Sequence, residues 1–123
     1  RYGIINSIDG YDEISLTGEF KVKTNSMEKI FSPSDLGFAR VSPDDLYGGT
    51  TVEEARQTFD RVLQNKATEG QKQVVMANAA FAIKVIEQDK PLEECLAMAR
   101  ESLESGRALS VFNRFVSLNS KAL

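Results

Sequence analysis

"YGIIN" (residues 2–6) is an apolar run with polar character only at its ends, and it is followed by a glycine turn rather than a helix. Such a run suits a strand covered on both faces, which is the usual state in a parallel sheet flanked by helices. The segments after it alternate instead. In "EISLTG" (13–18), Ile14 and Leu16 alternate with Ser15 and Thr17. In "EFKVKTN" (19–25), Phe20 and Val22 alternate with Lys21 and Lys23. Both predict half-exposed strands. "EKIFS" (28–32) adds an edge strand, and Ser32, Pro33 and Asp35 open a turn or a single helical turn that Gly37 closes.

From residue 50 the apolar period changes from two to about 3.6. Thr51 and Glu54 form a capping box, and Val52, Ala55, Phe59, Val62 and Leu63 make one stripe that is expected to pack inward. A second helix, about Gln71 to Gln88, is apolar around most of its circumference, with Asn78 as its polar exception. A third starts near Pro91, carries Leu92, Cys95, Leu96, Ala99 and Leu103, and stops at Gly106. Leu109, Phe112, Phe115 and Val116 announce a fourth. The order is that of an α/β chain: a few strands, one from a parallel sheet plus an antiparallel ribbon, then about four helices. One apolar strand and a small ribbon cannot cover a helix that is apolar nearly all round. The expectation is therefore that further strands precede residue 1 and that the chain is the C-terminal portion of a longer protein.

Composition narrows the chemistry. The 123 residues carry 15 basic and 18 acidic side chains, a net charge of −3, with no dense basic patch to meet a phosphate backbone; nucleic acid is not an expected partner. No histidine is present, which excludes His-based triads, and a single cysteine forms neither an internal disulfide nor a multi-cysteine zinc site. No run approaches the roughly 20 apolar residues that span a bilayer. A soluble, cytoplasmic protein without a membrane partner is the expectation.

Asp12 and Glu13, adjacent carboxylates behind Gly10, are the candidate metal ligands. Two hard oxygen donors suffice for Mg²⁺, which keeps much of its water and bridges to substrate phosphates; the competing reading is a solvated turn. Successive side chains on an extended strand point to opposite faces, so both reach one ion only where the backbone bends. Gly48 and Gly49 before a helix lack the spacing and lysine of a phosphate loop and read as a flexible helix entry. Cys95 reads as a packed thiol, Asn78 as a side chain bonded to nearby backbone, and Lys21 and Lys23 as a solvated strand face.

"DGYDEISLTG" (9–18), followed in order by "FSPSDLGF", "DLYGGTTVEEA", "VVMANAAFAI" and "ESLESGRAL", resembles the C-terminal stretch of the anthranilate phosphoribosyltransferase family of tryptophan biosynthesis over nearly the whole chain. The resemblance implies a nucleoside phosphorylase-like fold. Residues 1–123 would be the C-terminal portion of its catalytic α/β domain, without the N-terminal helical domain, the glycine-rich phosphoribosyl loop or the anthranilate pocket. It also implies that Asp12 and Glu13 bind Mg²⁺ carrying the pyrophosphate of phosphoribosyl pyrophosphate, with no proton-transferring catalytic residue in this portion. Family members form homodimers through the helical domain. Where many relatives have His-Gly before the acidic motif, this sequence has Asn6 and Ser7. The expected function is phosphoribosyl transfer to anthranilate, with the isolated chain inactive. A pyrimidine nucleoside phosphorylase relative and a noncatalytic protein-binding module are the alternatives.

Overall fold

The computed structural model describes residues 1–120. Three strands, β1 (Gly3–Ser7), β2 (Phe20–Thr24) and β3 (Glu28–Phe31), form one sheet in that order, and four helices follow: α1 (Val52–Leu63), α2 (Glu69–Ile86), α3 (Leu92–Glu104) and α4 (Arg107–Asn119). The strands-then-helices order agrees with the sequence reading. Both pairings are antiparallel, with Gly3 opposite Thr24 and Ser7 opposite Phe20 in the first and Phe20 opposite Phe31 in the second. The outer edge of β1 pairs with no strand among the described residues. Ile4, on the face of the sheet turned away from the helices, is 59% exposed, so the run expected to be covered on both faces is covered on one.

The register places Ile5, Val22 and Phe20 on the inner face, and Ile4, Lys21, Lys23 and Ile30 on the outer one. Phe20, Phe31 and Phe81 meet beneath the inner face. Phe20 and Phe31 stack at 5.7 Å, and Phe81 of α2 approaches them edge-on at 5.8 and 5.3 Å. These offset and edge-to-face arrangements suit the ring quadrupoles. Ala77 and Ala80 of α2 and Cys95 and Ala99 of α3 are small buried residues of the same core, and small side chains let two helix backbones come close.

Short turns join the layers. Pro33–Leu36 and Pro43–Leu46 are single 3-10 turns, each opened by a serine and an aspartate in a capping box. The first was expected; the second, carried by the closely similar "SPDDL" (42–46), was not. Helix α2 begins two residues before the expected start, because Thr68 and Gln71 form a capping box of their own.

Helix α1 departs from expectation. Its stripe does not pack inward: Val62 alone is buried, Val52 is 88% exposed, and Phe59 rests edge-on against Phe112 of α4 at 4.9 Å. Helical spacing identifies which side is apolar, but not whether anything lies against it.

Candidate functional site

The segment between β1 and β2 carries Asp12 and Glu13. As the strand ends, the Gly10 amide donates to the Ser7 carbonyl at 3.1 Å and the Ser7 amide donates to the Tyr11 carbonyl at 2.9 Å. Gly10 takes φ 104°, a conformation that L side chains rarely adopt. The backbone therefore bends two residues before Asp12. Across the mouth of the loop, the Ile8 amide donates to the Glu19 carbonyl at 2.9 Å.

Residues 13–18 are not a strand, contrary to the alternating pattern. Ile14 and Leu16 are fully buried, yet Ser15 and Thr17, expected to face water, are buried as well. Side-chain bonds replace the ladder. The Ser7 hydroxyl donates to the Glu13 carbonyl at 2.6 Å, the Ser15 and Thr17 hydroxyls pair at 2.7 Å, and the Thr17 hydroxyl donates to the Asp9 carboxylate. Serine, threonine and aspartate offer the backbone local partners that compete with regular structure. Leu16 sits at φ 59°, which breaks strand geometry outright. Its carbonyl receives the Val41 amide at 2.9 Å, and the Thr17 carbonyl receives the Arg40 guanidinium.

From the far side of the core, Asn78 of α2 closes the arrangement. Its Oδ1 accepts the Ile14 amide at 3.0 Å, and its Nδ2 donates to the Ile14 carbonyl at 2.8 Å and to the Val74 carbonyl at 2.9 Å. The expected bond to nearby backbone is present, together with a second tie to a segment 64 residues away.

Asp12 and Glu13 are both exposed on this loop. Neither carboxylate makes a hydrogen bond or ion pair with another described residue, so both oxygen sets are available. No group of three or more metal-binding side chains occurs among the described residues. That donor set does not suit an all-protein cage. It does suit Mg²⁺, which is commonly held by one or two carboxylates, water and substrate phosphates.

The remaining candidates have structural employment. Glu54 fills the N-terminus of α1: one carboxylate oxygen accepts the Thr50 amide at 2.7 Å and the Thr51 amide at 3.1 Å. Those bonds hold its carboxyl below the usual glutamate range. The amides behind Gly48 and Gly49 are thus taken by the chain itself. Cys95 is fully buried, and burial pushes its thiol up from 9.0, away from a reactive thiolate. Lys21 and Lys23 flank Glu28 as exposed ion pairs on the outer sheet face. The sequence reading missed the buried Ser7, Ser15 and Thr17 and their partner Asp9. The available signal was the density of Ser, Thr and Asp between residues 7 and 17.

Comparison with known proteins places this architecture. Residues 1–109 match the glycosyl transferase family, a/b domain, and the chain belongs to that family. Among curated relatives, anthranilate phosphoribosyltransferase of Bacteroides thetaiotaomicron is 55% identical over 121 residues, 98% of this chain and 36% of that protein. The crystal structure of anthranilate phosphoribosyltransferase from Thermus thermophilus superposes with a TM-score of 0.82 at 27% identity, over 95% of this chain and 35% of that one. The Saccharomyces cerevisiae enzyme in complex with PRPP and Mg shares the fold, with a TM-score of 0.83 at 24% identity, over 97% of this chain and 34% of that one. The chain thus spans about 36% of the length of the curated relative.

Proposed function

We propose that this chain supplies the Mg²⁺-holding part of an anthranilate phosphoribosyltransferase, acting with the portions of such an enzyme that it does not span. The observation that carries this reading is the pair of carboxylates, Asp12 and Glu13, that have no partner among the described residues and sit on a loop whose backbone is tied down on both sides. The names of the 55% identical relative and of the yeast PRPP and Mg complex support the substrate and the metal.

In the reaction, the anthranilate amine forms a bond to the anomeric carbon of the ribose as the bond from that carbon to pyrophosphate breaks, and the proton that the amine gives up passes to water. Mg²⁺, when bound, supplies positive charge against the negative charge that grows on the departing pyrophosphate. Asp12 and Glu13 hold and orient that charge and exchange no proton. Ser7, through the Glu13 carbonyl, keeps the acid-bearing backbone at the end of β1. The ribose phosphate and anthranilate contacts lie in the portions this chain does not span, so the 123 residues alone turn over no substrate. No helix among the described residues is long and apolar enough to cross a membrane, and a cytoplasmic setting suits a biosynthetic transferase with a buried free thiol.

The test is reconstitution. Mixing this chain with the complementary portion of the Bacteroides thetaiotaomicron relative is expected to restore Mg²⁺-dependent consumption of anthranilate and phosphoribosyl pyrophosphate. Asp12→Asn and Glu13→Gln in the mixture are expected to raise the Mg²⁺ requirement and lower turnover by about ten-fold or more. Turnover by the 123 residues alone, or acid variants with an unaltered magnesium titration, refutes the reading.

A further inference from the structure

We infer that Asn78 is a positioning residue for the metal-holding acids, acting from α2 through the peptide groups of Ile14; the inference rests on the reading of Asp12 and Glu13 given above. Three hydrogen bonds leave this one side chain, and two of them grip both backbone groups of the residue that follows Glu13. A single amide that accepts from the Ile14 N–H and donates to the Ile14 carbonyl holds the two peptides on either side of that residue at once. The third bond, to the Val74 carbonyl one turn earlier on α2, orients the amide so that Oδ1 meets the Ile14 N–H.

From the opposite direction, Ser7 donates to the Glu13 carbonyl at 2.6 Å. The peptide joining Glu13 to Ile14 is therefore gripped at its oxygen by β1 and at its nitrogen by α2. The acid side chains are exposed and make no hydrogen bond or ion pair with other described groups, and their backbone is held by the bonds around Ser7 and Ile14. Groups one shell outside a metal ligand set its orientation, and removing them commonly costs 10–100-fold in metal affinity. A side chain that only filled space here would leave the Ile14 N–H and C=O without partners, so Asn78 both satisfies and orients that residue.

The experiment uses Mn²⁺ alone as the probe, titrated into the isotope-labelled 123-residue chain, and reads paramagnetic broadening of the backbone amides of residues 11–15. In the unaltered chain the broadening is expected to centre there, and Asp12→Asn with Glu13→Gln is expected to abolish it. Asn78→Ala is expected to raise the Mn²⁺ concentration for half-broadening about ten-fold. Asn78→Asp keeps the size and one acceptor but loses both donations, and is expected to shift the midpoint the same way. Its added negative charge would by itself attract Mn²⁺, so a rise is not a charge effect. Asn65→Gly is the control. It keeps the left-handed backbone at φ 59° and removes an amide tie to the Leu103 and Glu104 carbonyls, remote from the acids in sequence. Its midpoint is expected to stay unaltered. An unaltered midpoint in a folded Asn78→Ala or Asn78→Asp chain, while the acid variants abolish broadening, overturns the role of Asn78 and leaves the metal reading standing. Unfolding of both Asn78 variants also overturns it, in favour of a structural role. Broadening that is absent, or indifferent to the acids, removes the metal reading and this inference together.

Discussion

Two stretches of this chain place glutamates or aspartates just after glycine, residues 9–18 and residues 48–54, and they use those acids in opposite ways. At α1, Gly49 turns the chain at φ 95° and the Glu54 carboxylate is consumed by the amides of its own helix entry. Along 9–18, hydroxyls and one asparagine satisfy the backbone, leaving the Asp12 and Glu13 carboxylates without partners among the described residues. Acid content is similar; the partners differ. A carboxylate is available to a ligand only where other groups have already met the backbone's demand for hydrogen bonds.

Truncating the anchor of the first stretch is expected to have the largest effect on this contrast. Ile14 is fully buried, so Ile14→Ala should cost about 3 kcal/mol in urea unfolding. A value near zero would show that residues 9–18 are a loosely attached turn like the exposed helix entry. A smaller loss is expected from Thr17→Val, which preserves shape but removes the hydroxyl linking Ser15 to Asp9. About 1–2 kcal/mol should disappear as the buried Ser15 hydroxyl and the Asp9 carboxylate lose their bonds to Thr17, and equal stability would mean that the network is decorative.

The gentlest probe concerns the second stretch and its pH dependence. Glu54 has a folded-state value lowered from 4.5 by the Thr50 and Thr51 amides. A lowered carboxyl stabilises the fold above 4.5 and loses that contribution as pH falls through the folded value. Helicity and thermal midpoint of the parent should exceed those of Glu54→Gln at neutral pH, and the gap should close in acid. A gap that persists unchanged to low pH would deny that the ionised carboxylate caps α1.

Much of the framework was legible because it rests on local chemistry. The strand positions of 20–24 and 28–31, the Thr51 cap, Gly106 between α3 and α4 and the burial of Cys95 all follow from patterns a few residues long. The failures share one cause. Alternation in residues 13–18 presumes one wet face, but both faces of that segment are buried, and hydroxyls bonded to each other satisfy the polar one. The apolar stripe of α1 presumes a neighbour, yet only Val62 is buried. Asn78 was readable as hydrogen-bonded, whereas its partner at Ile14 was not, since nothing local links positions 64 residues apart.

By itself, the sequence determined the strands at 20–24 and 28–31 and the four helices, that a glycine bend precedes two neighbouring acids, and that the chain offers no histidine or cysteine chemistry. Those properties depend on backbone preference and residue type. Tertiary structure decided how residues 9–18 are held and which carboxylates stay unpartnered. The reason is that hydrogen-bond supply at one loop is set by groups arriving from β1 and α2, and only folding brings those groups together.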